Sequence, residues 1–556
     1  MLKSDRLNGF LFFSLAFLLV LALLPATRWI VRKQFWMAIP GPQLTRVMLE
    51  KGVDGPCEWP GREVKPDPSD YLLALGQAET HPVGSKDWVV PEARALRSVD
   101  QRFPGRPSMP AHEILNLCQG NIICSRGEDW LLGGGKPPSD FRPSFPDPAR
   151  VEAVLQAAVR GEQRDPENAF YPLMRACALM GARRDAEAIE ALKVAGRKTE
   201  WNEYLLEDVD ARVHLRERSQ GRLSAFSVMV QDSATFGTYH SAIRELARVA
   251  TYKAILAEQS GHREEGLLIR HALMHVSGLM RADSTDAIGD FVGIAVAQMV
   301  LGWPGGVAPV PESANRTENR RRHIETYCSY LASFGHSDEA RWVRSQMDAA
   351  QQVSHILQRA FSPSPPPAVF PLIWLMGLWV IEAIALCNAV WLLAAAGIAN
   401  LRWNRRAILP SVCVLSAFLA VIPLWECVRV QMVAQGCSEI LGLIVDSPPA
   451  FPWFLALAAI LSISVPLILS AAILVRTLRR RIPLVRAFRE GFRGPGAWLA
   501  AACMVIYGLL VIGTAVKEAN VLQDRNRMRV NEGRYYAEKF GVTWPGPPDS
   551  SPAHKP

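Results

Sequence analysis

The chain contains no C-x-x-C and no C-x-x-C-H, so thioredoxin-like redox chemistry and covalent haem attachment lack their usual signals. It has no H-E-x-x-H to pair zinc with a general base. Serines occur in "SAFSVMV" and "DSATFG", but no G-x-S-x-G elbow is there to expose a nucleophile. The nearest approach to a phosphate loop is "LLGGGKPP" at 131–138. It has no Ser or Thr after Lys136, and its two prolines forbid the helix that should receive the phosphate. Runs of alternating strand character are absent too, and no sequence signal asks for a cofactor.

The 10 cysteines are scattered. Cys57, Cys118, Cys124, Cys177 and Cys328 precede the apolar C-terminal region. Cys118 with Cys124, and Cys427 with Cys437, are spaced to close short loops; buried or unpaired thiols are the competing reading. The net charge of +8 does not point to nucleic acid, because much of the arginine clusters beside apolar blocks. That is where cytoplasmic loops of membrane proteins place it.

Apolar length is what the sequence has. "GFLFFSLAFLLVLALL" (Gly9–Leu24) follows Lys3 and Arg6. It exceeds a usual signal core and no small-x-small site follows, which favours an anchor over a cleaved signal peptide. Four more blocks reach the roughly 20 residues a spanning helix needs: 369–398, 407–428, 451–475 and 497–516. The loops 401–406 and 476–493 are rich in arginine, whereas the loop between the second and third of these blocks holds Arg429 alone. The basic loops therefore belong in the cytoplasm, and parity places 28–367 and the tail outside it. Arg28, Arg32 and Lys33 resist this assignment, lying just beyond the first span on the outer side.

The expected organisation is a cytoplasmic N-terminus at 1–8, an anchor at 9–27 and a Pro/Gly-rich irregular segment at 28–147. A helical domain at 148–361 and a proline-rich linker at 362–368 follow. The four spans come next, with a basic cytoplasmic loop at 476–496, and an extracytoplasmic tail at 517–556 closes the chain. Within 28–147 brief helices are expected at Leu44–Lys51, Tyr71–Gln77 and Ala111–Cys118.

From Pro148 onward, proline near helix starts, apolar residues at three- and four-residue steps and glycine at helix ends predict paired helices. Two turns echo each other, "GHREEG" from Gly261 and "GHSDEA" from Gly335. Around them Ala254 and Gly266, and Cys328 and Ala340, stand twelve residues apart, so two antiparallel helices can approach closely. Ala176 and Ala188 repeat the spacing, with Gly181 displaced by two. The pattern resembles the tetratricopeptide (TPR) family, whose helix-turn-helix unit repeats every 34 residues. The matching positions are Ala254, Gly261, Glu265 and Gly266, then Cys328, Gly335, Glu339 and Ala340. The large aromatic positions of the family are mostly missing, and glycines 261 and 335 lie 74 residues apart; an irregular helical bundle is the alternative. The resemblance implies a stacked helical surface that binds a peptide or protein.

The sharpest metal candidates are Glu264, His271 and His275, which spacings of seven and four put on one helical face. An exposed or packed helix face is the competing reading, and His262 and His336 suit the ends of the preceding helices. Within the membrane region the polar candidates are Glu382, Asn388 and Glu426, the last able to pair with Arg429. They offer a proton or ion path, or else hydrogen bonds between helices. The loop "RRRIPLVRAFREGFR" has an amphipathic pattern that would place Arg486, Arg489 and Arg493 toward anionic lipid; a role only as a topology determinant is the competing reading.

The sequence thus predicts an all-α polytopic membrane protein with an N-terminal anchor, a TPR-like extracytoplasmic domain and a C-terminal four-helix membrane region. It would sit in the plasma (inner) membrane as a non-enzymatic scaffold, with lipid and another protein as partners. A small transporter or channel component using Glu382 is the first alternative, and a membrane-bound hydrolase the second.

Overall fold

The computed structural model describes residues 4–38, 64–79, 89–118, 145–225, 239–302, 316–361 and 497–548, with scattered single positions between these runs. Those residues are mostly helical and hold no strand beyond the isolated bridge Asn168–Glu200, so the all-α expectation stands. The chain divides into two compact units. The first comprises Met1–Glu63, Ser219–Val230 and Phe361–Asp524; the second, Val64–Arg218, Gln231–Ala360 and Arg525–Pro556.

In the first unit, α1 (Ser4–Leu23) and α2 (Pro25–Ala38) meet at a bend of 105°. Pro25 starts α2 where its missing N–H costs nothing, and the Thr27 hydroxyl donates to the Leu21 carbonyl at 2.6 Å across the bend. Arg28, Arg32 and Lys33 lie on α2, beyond the bend. The long α15 (Ala497–Met528) is, among the described residues, the one helix of sufficient length and apolarity to cross a membrane; the bent α1–α2 pair is a second if counted as one span. At 32 residues it is roughly 48 Å long, more than the ~30 Å hydrocarbon layer.

Helices α1 and α15 pack side by side in the same direction. Ser14 reaches the Ala501 carbonyl at 3.5 Å, and farther along both helices Gly508 has no side chain where Phe17 and Leu21 press in. The faces turned inward mix small and polar residues, Ser14, Ala501 and Thr514, with Leu21, Met504, Tyr507 and Val511. Phe12, Phe13, Leu19 and Leu23 of α1, and Ile506, Leu509 and Val516 of α15, lie exposed. The described positions between 378 and 392 are helical. The expected span at 407–428, and that at 451–475 apart from Val475, lie outside the described residues.

The second unit is built from stacked helices. In chain order they are α3 (Tyr71–Ala78), α4 (Val89–Arg102), α5 (Met109–Leu117), α6 (Pro148–Arg164), α7 (Phe170–Gly181), α8 (Asp185–Ala195) and α9 (Leu205–Gln220). There follow α10 (Tyr239–Gln259), α11 (Arg263–Asp283), α12 (Ala287–Val300), α13 (Arg316–Ser333), α14 (Ser337–Phe361) and α16 (Glu532–Phe540). Much of what reads as irregular before residue 148 is therefore helical. Pro110 and Pro148 sit in first turns, where proline is tolerated, so they start helices instead of breaking them. Expected helices appear as α3 and α5; Leu44–Lys51 lies outside the described residues, and α4 was not foreseen.

One apolar core runs from Ala93 to Met347 through this unit, with Phe170 at a node where Tyr171, Trp201 and Tyr239 meet it edge-on at 5.6–5.7 Å. Cys118, Cys177 and Cys328 are buried free thiols in it; Cys57, Cys124, Cys427 and Cys437 lie outside the described residues.

The tail folds into the same unit. Asn531 caps α16 through the Arg534 N–H at 2.6 Å and donates to the Ala282 carbonyl at 2.9 Å. Glu532 accepts from the Ala287 N–H at 2.9 Å, and the Gln352 amide donates to the Thr543 carbonyl at 2.5 Å.

Candidate functional site

The two echoed turns are helix closures of one kind. Gly261 has φ +90° and Gly335 φ +86°, the left-handed region that costs glycine nothing. The following N–H returns to the helix in both: His262 to the Ala257 carbonyl at 2.9 Å and His336 to the Leu331 carbonyl at 3.0 Å. Between α7 and α8 the same closure is made by Arg183 at φ 60°, with Arg184 N–H donating to the Leu179 carbonyl at 2.9 Å. Counting from Arg183 instead of Gly181, Ala176 and Ala188 take the offsets of Ala254 and Gly266 around Gly261, and of Cys328 and Ala340 around Gly335. The small residues do bring backbones together. A side chain at Gly266 would strike the Ala254 carbonyl oxygen, 2.8 Å from its Cβ position, and the Cys328 thiol donates to the Ala340 carbonyl at 3.4 Å.

The hairpins α7/α8 and α10/α11 stack, α7 on α10 and α8 on α11. At Gly196 the contact is so close that a Cβ would lie 2.5 Å from the Ala272 Cα. Between them opens a groove of about 770 Å³. Leu179, Ile189, Val194 and Ile269 supply apolar walls. Asp185, Glu187, Glu190 and Glu265 outnumber Arg175 and Lys253 among its charged residues. Lys253 is engaged by Asp185 at 2.9 Å and Arg175 by Glu162 at 2.9 Å, while at the edge Glu187 pairs with Arg184 and Glu190 with Lys193 at 2.8 Å, so the acidic excess lies in the lining itself.

The metal candidates read from the sequence face different partners. His271 Nδ1 is 2.7 Å from Glu339 and its ring stacks on Trp342 at 4.6 Å. His275 Nε2 is 2.8 Å from the Lys198 carbonyl. Glu264 is exposed and meets His336 Nε2 at 3.1 Å, tying one echoed turn to the other. Arg263 adds to that junction by lying over the Phe334 ring at 4.2 Å.

In the first unit Glu382 is fully buried and accepts a hydrogen bond from Thr514 of α15. Asn388 is also buried. Glu518, one turn beyond Thr514, was not singled out by sequence; its carboxylate accepts from the Ala225 N–H at 2.5 Å and caps the short helical turn that starts there. Arg486 is exposed and pairs with Glu490 at 3.1 Å, while Glu426, Arg489 and Arg493 lie outside the described residues.

A further buried polar cluster carries little local signal in the sequence. It gathers around His112 on α5, from residues far apart in sequence. Asp70 caps α3 through the Leu73 N–H at 3.0 Å and also meets His214 of α9 at 2.7 Å. The absence of a side chain at Gly76 lets α3 touch the α9 backbone at Ala211. These contacts bring Glu79, at the end of α3, and Asp208, on α9, together beside the imidazole, with Glu207 at its far nitrogen. His112 Nδ1 lies 3.9 Å from Glu79 Oε1, and Nε2 lies 3.9 Å from Glu207 Oε2. The ring is 2% exposed, yet neither nitrogen makes a hydrogen bond.

Arg212 binds the outer oxygens of this cluster, Glu79 Oε2 at 3.4 Å and Asp208 Oδ2 at 3.1 Å. Arg106 lies 3.8 Å from Glu207 and covers the Tyr71 ring at 3.7 Å. Burial by itself would raise the Glu207 pKa; His112 and the hydroxyls of Ser108 and Tyr71 outweigh it and bring it to about 2. Burial likewise opposes ionisation of Asp208, but the Glu79 carboxyl and Arg212 hold its pKa below the usual value. One ligand atom each from Glu79, His112 and Asp208 falls within 4.8 Å of the others. No protein family, curated protein or solved structure matches this chain.

Proposed function

We propose that the chain is a membrane-anchored scaffold of the cell envelope, with a TPR-like helical unit outside the cytoplasm that holds a segment of another protein in the α7/α8–α10/α11 groove. The observation that carries this reading is the groove itself, with apolar walls, an acidic lining and a helix on each side. Its chemistry suits an extended or helical segment carrying apolar and basic side chains.

Three features support the membrane and the topology. Phe12, Phe13, Leu19 and Leu23 of α1 and Ile506, Leu509 and Val516 of α15 lie exposed, as lipid-facing side chains do, and Ser14 and Gly508 sit where the two helices meet. Helices α1 and α15 run in the same direction, as two spans that both leave the cytoplasm must. Residues 525–548 fold with residues 239–360, which favours an even number of crossings between Phe361 and Asp524. Four apolar blocks in that stretch, with their arginine-rich loops inside, satisfy this. The exposed Arg486 fits contact with anionic lipid headgroups.

A photoreactive residue at Ala186, in the groove, tests the reading in intact membranes against the same residue at exposed Val159 of α6. A discrete protein adduct from position 186 and none from 159 is expected; equal labelling from both contradicts it. The transporter reading has one observation in its favour, the buried Glu382 bonded to Thr514. Glu382→Gln separates the two, since a scaffold keeps the adduct and its cellular role, whereas proton-coupled flux is lost.

A further inference from the structure

We propose that the cluster around His112 is a divalent-cation site in which Glu79, His112 and Asp208 ligate the ion and Glu207 orients the imidazole from its far side. Nothing in the scaffold reading requires this, and the two stand or fall separately. A buried imidazole without a hydrogen bond is rare, because leaving a buried polar group unsatisfied costs about 1–3 kcal/mol. His112 leaves both nitrogens so, with carboxylates facing them 3.9 Å away. That is too far for a hydrogen bond, and tetrahedral metal–ligand bonds of about 2.1 Å set ligand atoms ~3.4 Å apart, so the side chains need close by only about half an ångström on an ion.

The surrounding groups match the site. Arg212 occupies the outer oxygens of Glu79 and Asp208, which leaves Glu79 Oε1 turned toward the ring. Glu207 stands at Nε2, where a carboxylate that accepts the second N–H fixes the tautomer of a metal-bound histidine. One nitrogen with carboxylate oxygens suits a first-row cation such as zinc or manganese. The site is closed, with the His112 and Glu79 side chains 0% and 4% exposed, so its role is structural: it pins the end of α3 and α5 to α9.

Purified full-length protein, stripped with EDTA and returned to zinc or manganese alone, gives the test by metal analysis and thermal unfolding. One equivalent of one of these metals per chain, with a raised unfolding temperature, is expected. His112→Asn and Glu79→Gln should each lower retained metal by about tenfold, and His271→Ala should leave it unchanged. Glu79→Gln keeps the side-chain volume, so a folding failure of the His112 variant does not hide the answer. Stripped and reloaded protein holding no metal, or His112→Asn and Glu79→Gln holding as much as the parent, overturns the proposal. In that case Arg212, Arg106 and His112 balance the carboxylates.

Discussion

Glu203 is wholly buried, and desolvation together with the Asp286 carboxylate raises its pKa to about 7. Its Oε1 accepts from the Thr285 hydroxyl at 3.0 Å and the Thr285 N–H at 3.3 Å. A raised carboxyl pKa means the folded state keeps a proton that the unfolded chain has released, so Glu203 lowers stability as pH rises from about 4.5 to about 7. Glu203→Gln keeps the accepting oxygen and removes the charge. We expect it to raise stability at pH 8 by about 1–3 kcal/mol and to flatten the pH dependence in that window, read by denaturant unfolding. Glu207 has the opposite sign: its depressed pKa gives stability present above about 4.5 that is lost as pH falls toward about 2.

Arg270 shows what a buried pair costs to break. Its guanidinium meets Glu258 at 2.7 and 3.1 Å, reaches the Val300 and Gly302 carbonyls and lies over Tyr327. Arg270→Ala strands the Glu258 charge and should destabilise the helical unit by about 3–5 kcal/mol, measured by the same unfolding.

The residue scale was the least legible in sequence. The seven- and four-residue steps from Glu264 to His271 and His275 put those side chains on one helix, but nothing local shows that Glu339 and Lys198 take up the imidazoles. The His112 cluster was hidden for the converse reason: Glu79, His112 and Asp208 come from three elements, and only tertiary packing joins them. Its one local trace is the adjacent Glu207–Asp208 pair at the start of α9.

At the scale of elements the reading went further, because helix closure is written in neighbouring residues. Glycine followed by a carboxylate-rich turn located two hairpins. The third was located from small residues twelve apart, but its turn was anchored on Gly181. Arg183 occupies the left-handed position, where a side chain costs about 1 kcal/mol, and a non-glycine residue there gives no sequence signal. Arg183→Gly is therefore expected to stabilise the α7/α8 hairpin by about 0.5–1 kcal/mol. Gly261→Ala should cost about 1 kcal/mol through backbone strain alone, since its Cβ would meet nothing within 4 Å. Hydrogen exchange of the adjoining helix ends, alongside global unfolding, reads both. Helix α4 escaped notice because proline and glycine around it read as loop, although they mark helix boundaries.

For the whole molecule, apolar block length marks α1 and α15, whereas nothing in the sequence signals the folding of the tail against α11, α12 and α14. That contact makes a prediction about sidedness. Exposed Glu187 and Glu538, changed singly to cysteine, should both react with a membrane-impermeant maleimide applied from outside the cytoplasm. Arg486→Cys should react only after the membrane is opened. Labelling of positions 187 and 538 from opposite sides contradicts the shared unit.

The central claim is that the acidic groove between stacked hairpins holds a protein partner. The most direct measurement is the yield of the photo-adduct at Ala186 in membranes carrying Glu187→Lys together with Glu190→Lys. Both positions are exposed; the changes also break the Arg184–Glu187 and Lys193–Glu190 pairs, and unchanged unfolding would verify that the helices remain folded. We expect the adduct to fall by about tenfold, as reversal of rim charge weakens a complementary partner. An unchanged yield from the charge-reversed protein would contradict the account.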